Sequence, residues 1–146
     1  MRDYDNVLNQ LERIIHKYSQ KESVKKTYGN DIELTQTEIH LISVIGSKPG
    51  ISMKDLAAAK GVTPGAASQM IKKMIGKGLV EKRISKESEA KIELFLTKTG
   101  DECFGAHQKN HKAANQKWYD IFDKLDDNTY NAVKNLIAEA DKIIDV

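Results

Sequence analysis

The stretch that decides the fold runs from Ser52 to Gly78, SMKDLAAAKGVTPGAASQMIKKMIGKG. It predicts two helices joined by a tight turn. Ser52 caps the first helix, and Asp55, three residues on, makes a weak form of capping box. Leu56, Ala57 and Ala58 continue that helix. Gly61 ends it, because glycine enters the left-handed conformation without a Cβ penalty. Thr63 caps the second helix and Pro64 takes its first position, where a missing N–H costs nothing. Inside it Ala67, Met70, Ile71, Met74 and Ile75 fall on one side at helical spacing. Gly65, Ser68, Gln69, Lys72 and Gly76 fall on the other, with Lys73 at the margin.

The outer face of that second helix is small near its start, amide and hydroxyl in its middle, and basic towards its end. Such a face suits a DNA major groove. Small residues let the helix N-terminus approach base edges, Ser and Gln donate to and accept from bases, and lysines reach phosphates. Thr63, Pro64, Gly65, Ser68, Gln69, Lys72 and Lys73 are therefore the candidate contacts.

Beyond Gly78 the period changes. LVEKRI (79–84) and KIELFL (91–96) read as two strands around a polar tip, SKESEA (85–90). A two-stranded hairpin directly after such a helix is the wing of a winged helix. Arg83, Lys86 and Lys91 are its candidate DNA contacts, with Glu87 and Glu89 among them.

Upstream, Thr35 to Glu38 is a capping box that opens a helix to about Ser47. Ile39, Leu41, Ile42, Val44 and Ile45 make it apolar nearly all round, so it should pack centrally. Residues 3–27 form a long helix with a stripe of Tyr4, Val7, Leu8, Leu11, Ile14, Ile15 and Tyr18. Downstream, Thr97 caps a helix to about Leu125, and Asp126 caps a last one lined by Val133, Leu136, Ile137 and Ile143. These terminal stripes exceed what a small winged core can cover. A second copy of the chain would cover them, and a two-fold dimer would read a palindrome with two recognition helices. The expected class is mainly α with a small two-stranded β wing.

A chain of 146 residues is one domain of ordinary size. No apolar run approaches a membrane span, and the start MRDYDNVLNQ is too polar for a signal peptide, so a cytoplasmic protein is expected. The net charge of +2 hides an asymmetry. Residues 48–100 hold 11 Lys/Arg against 5 Asp/Glu, while the remainder holds 12 against 16. A basic middle between acidic ends fits a DNA-facing lobe on an acidic scaffold. No nucleophile–base pair or phosphate loop points to an enzyme.

His107 and His111 stand i, i+4 on one helix face, the spacing that two imidazole ligands need for a zinc ion. His40 is a third candidate ligand if the second helix packs against the fifth. The competing reading is a hydrogen-bonded structural cluster. Cys103 is the single cysteine, so no intrachain disulfide forms, and it is read as a passive thiol.

The segments LTQTEIHLISVIG (34–46), ISMKDLAAAKGVTPGAASQMIKKMIGKGLVEKR (51–83) and LFLTKTG (94–100) resemble the MarR family of bacterial transcriptional regulators. The resemblance covers nearly the whole chain. It implies a single domain, 1–146, with a winged helix-turn-helix DNA-binding lobe at 34–98 and a dimerisation lobe from 1–33 and 99–146. It also implies a homodimer on palindromic operator DNA, usually a repressor, often relieved by a small-molecule effector. Zinc-sensing relatives take their ligands from the second helix, the fifth helix and an acidic residue near the end of the first, for which Glu22 is the nearest match. The glutamate beside their second-helix histidine is matched here by Ile39. The family's usual Asp-x-Arg at the wing tip is replaced by Ser88, Glu89 and Ala90, so less reliance on the wing is expected. The alternative reading, favoured by that missing arginine, is a winged-helix protein–protein adaptor.

Overall fold

A computed structural model describes residues 1–144. Six helices and two small antiparallel sheets follow in the order α1 (Tyr4–Glu22), β1 (Lys26–Thr27), β2 (Glu33–Leu34), α2 (Gln36–Ser47), β3 (Ile51–Ser52), α3 (Met53–Lys60), α4 (Pro64–Gly76), β4 (Val80–Ile84), β5 (Ile92–Leu96), α5 (Lys98–Phe122) and α6 (Asp127–Ile143). Contacts divide the chain into two units, residues 1–107 and residues 108–146, with the boundary inside the continuous helix α5.

The caps form where the side chains allow them. Asp3, Ser52, Thr63 and Asp126 each accept a hydrogen bond from the backbone N–H three residues on. Thr35 and Glu38 make the full reciprocal box. Each cap satisfies a donor that the helix itself leaves unpaired. Gly61 adopts the left-handed conformation, φ +63°, that ends α3 and starts the turn into α4.

Two helices stop earlier than periodicity predicts. Helix α1 ends at Glu22 rather than Thr27, because residues 26–27 pair with residues 33–34 around the Gly29-Asn30 turn. Helix α5 ends at Phe122 rather than Leu125, where Asp126 begins the cap of α6. The hairpin also gains a third strand. Ile51 and Ser52 pair with Leu94 and Glu93, giving the order β3-β5-β4. Two residues carry no readable alternation, so the sequence gives no signal for that strand.

The core of the first unit centres on α2. Ile39, Leu41, Ile42 and Ile45 are all fully buried, together with Leu56, Ile71, Met74, Leu79 and Leu94 from the elements around it. The start of α5 lies close against this core at two glycines. A Cβ on Gly46 would stand 2.7 Å from the Phe104 ring, and one on Gly100 would collide with the Leu79 carbonyl. In the second unit, Phe122 stacks on Trp118 and meets Tyr130 edge-on. No helix among the described residues is long and apolar enough to cross a membrane.

Candidate nucleic-acid interface and histidine cluster

The turn between α3 and α4 is held by backbone bonds from Gly61 N–H to the Ala58 carbonyl and from Val62 N–H to the Ala57 carbonyl. Ala67, Ile71 and Met74 then bury one face of α4 completely. At a helical repeat of 3.6 residues this fixes the opposite face outward. Thr63, Pro64, Gly65, Ser68, Gln69 and Lys72 all lie exposed on α4 or at its cap. Gly65 faces open space, so the first turn presents almost bare backbone. The structure thus brings these six sequence-predicted residues onto one accessible surface.

Lys73 is also exposed but is not left to solvent. Its Nζ lies 2.6 Å from Oε1 of Glu38, and Lys77 Nζ lies 3.1 Å from Oε2 of the same carboxylate. Glu38 is buried, 6% exposed. Burial pushes its carboxyl pKa up, but Lys73, the Thr35 N–H and Lys77 more than offset this and hold it below the ordinary glutamate value. Sequence reasoning assigned Glu38 only to its capping box. Its second role needs the lysines at the end of α4 to reach the first turn of α2, which no spacing along the chain reports.

In the wing, Val80 to Ile84 pair in register with Leu96 to Ile92. Arg83 is engaged within the hairpin, over the Phe95 ring at 4.2 Å from its centroid and ion-paired with Glu81. Lys86 and Lys91 are exposed at the tip, which is ordered by bonds from Ser85 N–H to the Lys91 carbonyl and from Lys91 N–H to the Ser88 carbonyl.

The histidines converge. The rings of His40 and His107 lie 5.4 Å apart, and Tyr28 meets His107 edge-on at 5.8 Å. His111 follows one turn later on the same helix. His40 and His107 both belong to the first unit. Glu22 does not join this group. It acts instead on Lys60, whose pKa is lowered by burial and partly restored by that carboxylate. Cys103 is fully buried and accepts a hydrogen bond from the Asn30 amide at 3.1 Å.

Comparison with known proteins gives a consistent assignment. The MarR family model matches residues 34–89. The uncharacterized HTH-type transcriptional regulator YhjH of Bacillus subtilis is 26% identical over 97 residues, covering 66% of this chain and 55% of YhjH. The chain therefore spans about half the length of that relative. Among solved structures, Streptococcus pneumoniae FabT in complex with DNA superimposes with a TM-score of 0.71 at 22% identity, covering 97% of both chains. The zinc-responsive MarR family member ZitR of Lactococcus lactis gives a TM-score of 0.68 at 16% identity, covering 94% of this chain and 96% of its own. The capped helix pair, the hairpin and these likenesses agree: residues 34–89 match the MarR family model, and the chain shares its fold with the solved structures of FabT and ZitR.

Proposed function

We propose that this protein is a DNA-binding transcriptional regulator, a homodimeric repressor that reads palindromic operator DNA in the cytoplasm. The observation that carries this reading is the exposed face of α4, small at its start and amide in its middle, held outward by three buried anchors. Gln69, at its centre, can bond one base bidentately. The solved structure of FabT with DNA is a precedent for this fold on a duplex. Lys72, Lys86 and Lys91 supply phosphate charge, while Arg83, tied to Phe95 and Glu81, contributes mainly to the hairpin.

Dimerisation is supported by apolar surface that the single chain leaves uncovered. Helix α1 has no buried residue, although Val7, Leu8, Leu11, Ile14 and Ile15 line one side of it. Helix α6 likewise exposes Leu136, Ile137 and Ile143. Apolar patches of this extent mark interaction surfaces.

Selection of bound sites from random duplex DNA tests the function, followed by affinity measured against salt. A regulator selects a palindrome and shows a steep negative salt slope as counterions are released. A protein–protein adaptor would select nothing and show no slope.

A second reading concerns the effector. His107 and His111 stand i, i+4 on α5, the His40 ring lies 5.4 Å from that of His107, and ZitR is described as zinc-responsive. Bound zinc would supply a divalent charge that draws these three side chains together. Imidazole ligands must be neutral, so zinc affinity should weaken below about pH 6.5. Elemental analysis after dialysis, then zinc titration of wild type and His107→Ala, decides it. Equal, weak uptake by both would leave these histidines as packing residues.

A further inference from the structure

Glu38 is the single charged residue among the buried ones described. Its Oε2 accepts from Thr35 N–H at 2.9 Å and from Lys77 Nζ at 3.1 Å. Its Oε1 has no hydrogen-bond partner among the described residues and is ion-paired with Lys73 Nζ at 2.6 Å. Lys77 also donates to the Glu33 carbonyl at 3.1 Å. Lys73 and Lys77 stand one turn apart at the end of α4, so both face the same way. Lysines at that place would ordinarily reach for solvent or phosphate. Here both turn back onto one carboxylate of α2.

The apolar anchors of α4 resist its removal from the core but are non-directional, so they tolerate small rolls and slides. A charge pair with one carboxylate has a fixed position. It pins the C-terminal end of a 13-residue helix, about 20 Å long, whose other end carries the outward face. We propose that Glu38 is a positioning residue for base reading: with Lys73 and Lys77 it sets the angle at which α4 presents Ser68 and Gln69 to DNA. Lys73 accordingly serves the protein rather than a phosphate. This inference rests on the reading that α4 enters the major groove.

The test uses full-length protein and a duplex that the wild type selects from a random-sequence pool. Affinity is measured against salt, for that duplex and for one altered at the base that Gln69 reads. The variants are Glu38→Gln, Lys73→Met, the double variant, Lys73→Arg and Gln69→Ala. Glutamine at 38 still accepts from Thr35 N–H, so the cap survives while the charge goes. The expected result is a loss on the order of tenfold for E38Q and for K73M, within the range that coupling energies reach. The double variant should lose little more than either single one. The salt slope should not change, K73R should retain wild-type affinity, and discrimination against the altered base should shrink in E38Q. Lys73 is largely exposed, so K73M keeps the test open if E38Q folds poorly. A salt slope reduced by about one in K73M, with E38Q unaffected, would make Lys73 a phosphate contact and overturn the proposal. Unchanged binding and preference in Q69A would instead overturn the groove docking itself, and this inference with it.

Discussion

Helices α1 and α2 both carry strong apolar faces, and they meet opposite fates. In α2, Ile39, Leu41, Ile42 and Ile45 are all fully buried by elements of the same chain. In α1, Leu11 is the least exposed of the large apolar residues and still 43% open. Helix α6 resembles α1, with Ile143 83% exposed. A periodic stripe states that a face gains free energy by leaving water. It does not state whose atoms will cover it. The winged core closes on itself, whereas α1 and α6 keep their apolar faces largely exposed in the single chain.

The largest effect should come from the closed side of this contrast. Ile42→Ala leaves a cavity at the centre of the core and should cost about 2–5 kcal/mol in denaturant unfolding. On the open side, Leu11→Ala should barely change the helix content of the protein. It should weaken dimerisation by about 1.5–3 kcal/mol per subunit, the value of burying one leucine. Sedimentation across protein concentration measures it, and a wild type that stays monomeric at micromolar concentration breaks the comparison outright. Charge at Ile143 should likewise cost assembly more than helicity.

The polar face of α4 belongs to neither class, since it is exposed by design of the helix beneath it. Gln69→Ala should leave thermal stability unchanged and cost about 1–3 kcal/mol at one base position per half-site. The smallest effect concerns acid. The folded carboxyl of Glu38 titrates below its ordinary value of 4.5. Its contribution to stability is therefore fully present above that value and is lost as pH falls through the lower folded one. An acid titration of unfolding should show this limb in wild type and a shallower one in Glu38→Gln.

Local chemistry explains how much could be read in advance. The caps at Ser52, Thr63, Thr35 and Asp126, and the stop at Gly61, depend on atoms within four residues, so spacing alone exposes them. The outward set from Thr63 to Lys72 follows from one helical repeat and three anchors. Where local signals compete, reading fails. The stripe of α1 ends at Tyr18, and nothing short of pairing between Lys26 and Leu34 shows that the helix does not run on to Thr27. The third strand at Ile51 is two residues long and has no period to detect.

By itself, then, the sequence determined the helix-turn-helix, its caps, the wing and the face of α4 that looks outward, because each rests on contacts between near neighbours in the chain. Only the tertiary structure decided the rest. It turned Lys73 and Lys77 back onto Glu38, laid Arg83 over Phe95, drew His40 to His107, and left Glu22 beside Lys60 instead. Apart from the strand-to-strand stacking of Arg83, these pairings join residues far apart in the chain. For Glu38 and His40 what brings the partners together is the burial of α2 among its neighbours, a non-directional force whose outcome no local spacing records.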